Sequence, residues 1–125
     1  MRSERGSVSV VIAAMVAVAL VCCLGIADLG QVFRARARAR AAADAAALAA
    51  AQELAIPSGA EPASLASAYA EANGGRLTSC VCAPGSREAQ VTVDVVAGLL
   101  LLPDPVTVTA RARAVVDVPQ AAGAG

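Results

Sequence analysis

The sequence contains very few of the residues on which catalysis, metal binding and nucleic-acid binding depend. Among 125 residues there is no histidine, no lysine and no tryptophan, and there is one phenylalanine and one tyrosine. The absence of histidine excludes a Ser-His-Asp triad and any zinc site with a histidine ligand. Ten arginines balance ten acidic residues, so the net charge is zero. A chain without a basic excess is a poor candidate for nucleic-acid binding.

The remaining reactive side chains form no recognisable site. No glycine-rich phosphate loop follows a predicted strand, and acidic residues such as Glu61 and Glu71 are scattered as on an ordinary solvated surface. Cys80 and Cys82 offer two thiols, whereas a structural zinc ion needs four ligands. We therefore expect no enzymatic activity, no cofactor, no metal and no small-molecule substrate.

Residues 7–27, SVSVVIAAMVAVALVCCLGIA, contain no charged side chain. About 20 apolar residues at 1.5 Å per residue span the ~30 Å hydrocarbon core of a bilayer. A helix buried inside a soluble domain is the alternative. The rest of the chain, with 2% aromatic residues, is too small to cover such a helix on every side. The segment predicts a transmembrane helix, preceded by a cytoplasmic N-terminus at residues 1–6.

A cleaved secretory signal is the main competing interpretation. Gly25 and Ala27 are small residues at the spacing that a signal peptidase recognises, which would release a secreted binding domain after Ala27. However, the apolar run from Val8 to Leu24 is longer than the 7–15 residues typical of a signal peptide. We favour an uncut membrane anchor and keep the secreted domain as the alternative.

Residues 28–56 are rich in alanine and arginine, which favour helix, and no proline occurs before Pro57. We expect the membrane helix to continue through this extension. Its alternating arginines would form a basic collar at the lipid headgroups, either simply solvated or in contact with anionic lipid. These arginines are Arg34, Arg36, Arg38 and Arg40.

Small residues recur along the helix at a four-residue spacing. Ala13 and Ala17 lie in the apolar segment, and Ala43 and Ala47 lie in the extension. Such a stripe lets another helix approach closely, so we identify these four alanines as a possible helix interface. The alternative is that the stripe reflects composition, since 33 of the 125 residues are alanine.

Residues 57–125 predict a small α+β domain with a flexible C-terminal tail. A short helix is expected from Pro62 to the Asn73-Gly74-Gly75 stop signal. Alternating apolar and polar residues then predict strands, which we expect to form a three-stranded antiparallel sheet. The three segments are RLTSCVC, AQVTVDVVA and VTVTARARAVVDV. The short helix and the upper end of the long helix would cover the apolar face of the sheet.

Two features of this domain are candidate sites. Four consecutive leucines, Leu99, Leu100, Leu101 and Leu102, occupy the connection between the last two strands. They either fold onto the core or form an exposed apolar contact tip for a partner or the membrane surface. On a flat strand the Cα atoms of Cys80 and Cys82 would be about 6.5–7 Å apart, at the outer limit for a disulfide. A bridge between them therefore requires a local turn or bulge.

The N-terminal part of the chain resembles the TadE/TadG-like proteins of Flp (Tad) pilus assembly. The resemblance rests on Glu4-Arg5-Gly6 before the apolar run, Asp28-Leu29-Gly30 after it, and the block ADAAALAAA at residues 43–51. The short length and the Arg/Ala-rich style look most like the TadE-like proteins of high-GC Gram-positive bacteria. The resemblance implies an accessory or minor pilin-like component of a pilus or secretion machine, in contact with lipid and with other membrane proteins of that machine.

The chain departs from processed pilins, which are cut after a glycine and carry glutamate five residues later. Gly6 is present, but the fifth residue after it is Val11, so we expect an uncut anchor. Arginine counts on the two sides of the span are nearly equal and slightly favour a cytoplasmic C-terminal domain. The resemblance implies an external domain, and the two close cysteines fit an oxidising location. We expect the N-terminus inside and the C-terminal domain outside.

Overall fold

A computed structural model describes residues 2–117 and 119, and the side chains from Arg5 onward. Helix α1 spans Arg2–Ala55, helix α2 spans Pro62–Ala72, and three strands follow: β1 (Arg76–Val81), β2 (Glu88–Ala97) and β3 (Val106–Val115). The predicted α+β class is confirmed, with a long apolar N-terminal helix, a short helix and a three-stranded antiparallel sheet. The predicted C-terminal tail lies largely outside the described residues.

Helix α1 is continuous over 54 residues, which corresponds to roughly 80 Å at 1.5 Å per residue. Alanine and arginine sustain it beyond the apolar segment, and the glycines at positions 25 and 30 do not interrupt it. It ends immediately before Ile56-Pro57, since proline disfavours helical geometry in the residue that precedes it. The predicted 28–56 extension is therefore part of one rod with the apolar segment.

Helix α2 ends in a Schellman motif. The N–H of Gly75 donates to Ala70 O at 2.9 Å, and the N–H of Gly74 donates to Glu71 O at 3.0 Å. Gly74 has a φ of 80°, a conformation that side chains with a Cβ rarely adopt. The Asn73-Gly74-Gly75 signal in the sequence thus ends the helix as predicted and turns the chain into β1.

The sheet has the order β1-β2-β3, with both pairs antiparallel. Strands β2 and β3 pair without interruption from Glu88↔Val115 to Ala97↔Val106. The β1–β2 register shifts between Leu77 and Ser79, where Thr78 forms a bulge. Because of this extra residue, both Leu77 and Cys80 turn towards the core although three positions separate them.

The core consists mainly of alanine and valine. One face of α1 packs against β2, β3 and α2, and its alanines at spacings of three and four residues are buried. The largest fully buried side chains are Val91 and Val93 of β2. Alanine methyl groups let the helix and sheet backbones approach closely, which is how a domain with almost no aromatic residues forms a core. The buried residues of the main cluster are Ala42, Ala43, Ala46, Ala47, Ala50, Ala51, Ala66, Ala70, Ala89, Val91 and Val93.

Candidate functional site

The apolar segment of α1 is not covered by the rest of the chain. The described residues contain one helix long and apolar enough to cross a membrane, and none of its apolar window is buried. Large side chains such as Val10 and Met15 are 68% and 69% exposed. A continuous apolar surface of this length is unfavourable in water and is consistent with a single membrane span.

Asp28 lies at the end of this segment. Among the residues whose side chains are described, it is one of two acidic residues that are buried. Its Oδ1 atom accepts a hydrogen bond from the backbone N–H of Leu100 at 2.7 Å, and its Oδ2 atom accepts one from Leu101 at 2.9 Å. The carboxylate therefore ties the β2–β3 connection to α1. The sequence marks Asp28 as the first charged residue after the apolar run and as part of the Asp28-Leu29-Gly30 motif, and neither feature indicates its contact with residues 100 and 101.

The leucine loop, defined as residues 98–105, extends from the sheet towards the apolar segment of α1. Leu100, Leu101 and Leu102 are 66%, 48% and 56% exposed, whereas Leu99 is partly buried. The sequence left two interpretations open, a loop folded onto the core or an exposed apolar tip. Three of the four leucines have the exposure of an apolar tip. Their attachment to Asp28 places them beside the point where the apolar segment ends.

The alanine stripe has two different environments. Ala43 and Ala47 are 0% and 1% exposed and belong to the core formed with the sheet and α2. The chain itself covers them, so the expectation that they face a partner helix is corrected. Their small side chains instead allow the sheet to approach α1. Ala13 and Ala17 are exposed on the apolar segment and stay candidates for contact with another helix.

Cys80 and Cys82 are joined as a disulfide, with Cα atoms 5.6 Å apart. This is closer than the separation expected for a flat strand, because β1 ends at Val81 and Cys82 lies outside the regular strand. The turn follows at Pro84-Gly85. Both cysteines are partly buried against the core. Cys22 and Cys23 are free thiols on the exposed apolar segment.

Glu53 is the second buried acid and was not identified from the sequence. Its carboxylate accepts hydrogen bonds from the N–H and Oγ of Ser58 at 2.7 and 2.8 Å, and from the N–H groups of Gly59 and Ala60 at 3.1 Å. The Ser58 side-chain hydrogen bond, followed by the backbone bonds, lowers the pKa of Glu53 from its ordinary value of 4.5, and partial desolvation opposes this shift. Glu53 thereby fixes the turn between α1 and α2.

The outer surfaces carry charge without forming a reactive group. All four arginines from Arg34 to Arg40 are exposed along α1, which fits both a solvated collar and a collar in contact with anionic lipid. On the outer face of the sheet, Arg113 forms a two-point ion pair with Glu88, and the Thr109 hydroxyl donates to Asp94 at 2.6 Å. Within the described residues, no group of three or more Cys, Asp or Glu side chains could hold a metal ion.

Residues 6–53 match the model of a protein family described as putative Flp pilus-assembly TadE/G-like. The matched region is a single structural unit, since it comprises the apolar segment of α1, Asp28 and the alanine face up to Glu53. It covers less than half of the chain, and the sheet lies outside it. The match does not distinguish the high-GC Gram-positive subgroup, which stays a prediction. No curated protein and no solved structure shows significant similarity to the chain.

Proposed function

We propose that this chain is a membrane-anchored accessory or minor pilin-like component of a Tad/Flp-type pilus or secretion apparatus. It acts by helix packing and protein–protein contacts and has no enzymatic activity. The observation that carries this proposal is the agreement between the family match and the uncovered part of α1. The matched residues include the whole apolar segment, which has no partner within the described chain, and continue along the alanine face that packs against the sheet and α2.

The partners of the anchor are membrane lipid and other membrane proteins of the machine. In the described structure one face of the extramembrane half of α1 is already occupied by the sheet and α2, so we place the contacts with helices of other proteins in the apolar segment, which is uncovered on all sides. Ala13 and Ala17 are the small residues there with the four-residue spacing that favours close helix packing. The outer face of the sheet and the exposed face of α2 are available for contacts outside the membrane.

The anchored form is favoured over a secreted domain released after Ala27. Helix α1 is unbroken on both sides of the Ala27–Asp28 bond, and a peptidase requires an extended substrate. Asp28 is also buried and bonded to the leucine loop, which hinders the access of a peptidase to the Ala27–Asp28 bond. Val11 in place of an acidic residue further favours an anchor over a filament subunit.

For the orientation, we propose a cytoplasmic N-terminus and an extracytoplasmic domain. The family resemblance implies this arrangement, and the Cys80–Cys82 bridge fits an oxidising compartment. The exposed arginines of the collar lie between the apolar segment and the main core. In this orientation they face the headgroups of the outer leaflet.

Two measurements on membranes of the native host test the function. Intact mass should give the uncut chain, whereas a species that begins at Asp28 would support the secreted alternative. A tagged chain extracted in mild detergent should co-purify with the ATPase and platform proteins of the pilus machine. A control with the same tag on an unrelated single-span protein sets the background. Recovery of an uncut chain with none of these partners above background would contradict the proposed function.

A further inference from the structure

The leucine loop is an apolar surface whose position in the fold is fixed. It connects β2 and β3 at the end of the sheet where Ala35 of α1 packs against Val95 and Ala97. From that level the loop continues down α1 to Asp28, seven residues or roughly 10 Å along the helix axis. The loop therefore reaches the residue that directly follows the 7–27 apolar segment.

The apolar surface of the loop is continuous with that of the helix. Leu24, one turn before Asp28 on the same side of α1, is 41% exposed, and the neighbouring Leu29 is 60% exposed. Together with the three leucines of the loop, these side chains widen the apolar surface just where the span ends. A soluble turn of this length normally carries polar residues, and an exposed apolar patch of this kind marks a contact surface.

Part of the loop backbone is suited to an environment without water, because several of its N–H groups are bonded or absent. An N–H group that enters a lipid region must find a partner within the protein, because hydrocarbon offers none. The N–H groups of Leu100 and Leu101 are both bonded to the buried carboxylate of Asp28. Pro103 and Pro105 have no N–H group. Half of the eight loop residues thus present no free backbone donor.

We propose that the leucine loop inserts Leu100, Leu101 and Leu102 into the lipid at the boundary between headgroups and acyl chains. The loop forms a second membrane contact beside the exit of the helix, and this inference rests on the membrane anchoring proposed above. Two contacts fix the tilt and rotation of the domain relative to the membrane, which a single helix does not. Arg34, six residues beyond Asp28, then lies within reach of the headgroups.

The absence of tryptophan from the chain allows a direct test. The full chain with Leu101→Trp is reconstituted at low density in vesicles of phosphatidylcholine whose acyl chains are brominated. Its tryptophan emission should be lower than in the same vesicles without bromine. The expected loss is at least half of that seen for Leu20→Trp in the apolar segment. Val115→Trp, which is exposed at the opposite end of β3, should show no loss. Leu102→Trp serves as a second reporter because its side chain is also exposed.

The outcomes separate this inference from the anchoring itself. Unquenched Leu20→Trp would overturn the anchoring and the loop insertion together. Quenched Leu20→Trp with unquenched Leu101→Trp and Leu102→Trp would overturn only the insertion of the loop. Emission that is shifted to the blue but unaffected by brominated lipid would mean that a second copy of the chain covers the leucines, and this also contradicts lipid insertion.

Discussion

The carboxylate of Asp28 accepts the backbone N–H of Leu100 at 2.7 Å, although 72 residues separate the two positions. This hydrogen bond joins the end of the apolar segment of α1 to the connection between β2 and β3. With the neighbouring bond to Leu101 it sets where the domain sits on its helix. The domain is therefore held to the anchor at the membrane end as well as through the alanine core.

Asp28→Asn should release the leucine loop. The amide offers one acceptor oxygen and turns a donor towards the second N–H group, so at least one of the two hydrogen bonds is lost. A hydrogen bond to a charged group contributes roughly 1.5–3 kcal/mol. Hydrogen–deuterium exchange of the full chain in lipid nanodiscs should show faster exchange in residues 98–105. Asp104→Asn, the same change within the loop, should leave the exchange unaltered, and equal exchange in both variants would refute the role of Asp28.

The carboxylate of Glu53 should make the stability of the domain depend on pH. Its pKa is lowered in the folded state, so its contribution is fully present above the ordinary value of 4.5. That contribution is lost as the pH falls through the lowered folded-state pKa. In thermal unfolding from neutral to acidic pH, Glu53→Gln should be less stable at neutral pH and should lose less on acidification. Glu61→Gln, whose side chain bonds only to the exposed Ser64, should follow the wild-type profile.

Gly75→Ala should destabilise the domain by overpacking the junction of α1, α2 and β2. A Cβ atom at Gly75 would overlap Val93 Cγ1 and lie 2.9 Å from the Cβ of Ala42. Inserting a methyl group into such a packed site costs about 1–3 kcal/mol. Gly98→Ala is the matched control, since its Cβ would meet no atom within 4 Å. Denaturant unfolding should separate the two variants, and equal midpoints would show that the junction is not tightly packed.

The stripe of Ala13 and Ala17 should be the face of the apolar segment that meets another helix. A photo-crosslinking residue at Ala17 should give adducts with membrane proteins of the pilus machine in living cells. The same residue at Met15, which lies on the opposite side of α1 and is 69% exposed, should give far fewer. Equal yields at both positions would mean that the alanine spacing merely reflects composition.

The secondary structure could be predicted because it depends on local signals. Alternation in β2 and β3, proline at the start of α2 and the Asn73-Gly74-Gly75 stop each act within a few residues. The sequence also predicted the alanine face of α1, but it did not predict which element packs there. A small residue permits close packing against either a sheet or a helix. Ala43 and Ala47 lie in the core that α1 forms with the sheet and α2 of their own chain.

The two buried acids could not be assigned from sequence because their partners are backbone groups. A backbone N–H is present at nearly every residue, so nothing in the sequence marks Leu100 as the partner of Asp28, or Gly59 as a partner of Glu53. The available signals were weak. Asp28 is a lone acid directly after an apolar run, and Glu53 is a lone acid just before a Pro-Ser-Gly turn. The bulge at Thr78 likewise arises from the pairing of β1 with β2 and has no signature of its own.

The side of the membrane on which the domain lies tests the central claim most directly. Ser64→Cys, on the exposed face of α2, and Ser3→Cys, before the apolar segment, can each be introduced after Cys22 and Cys23 are replaced by alanine. A membrane-impermeant maleimide applied to intact cells should label the Ser64→Cys chain, and should label the Ser3→Cys chain only after lysis. The reverse pattern would place the domain in the cytoplasm and contradict a role as an external component of a pilus or secretion apparatus.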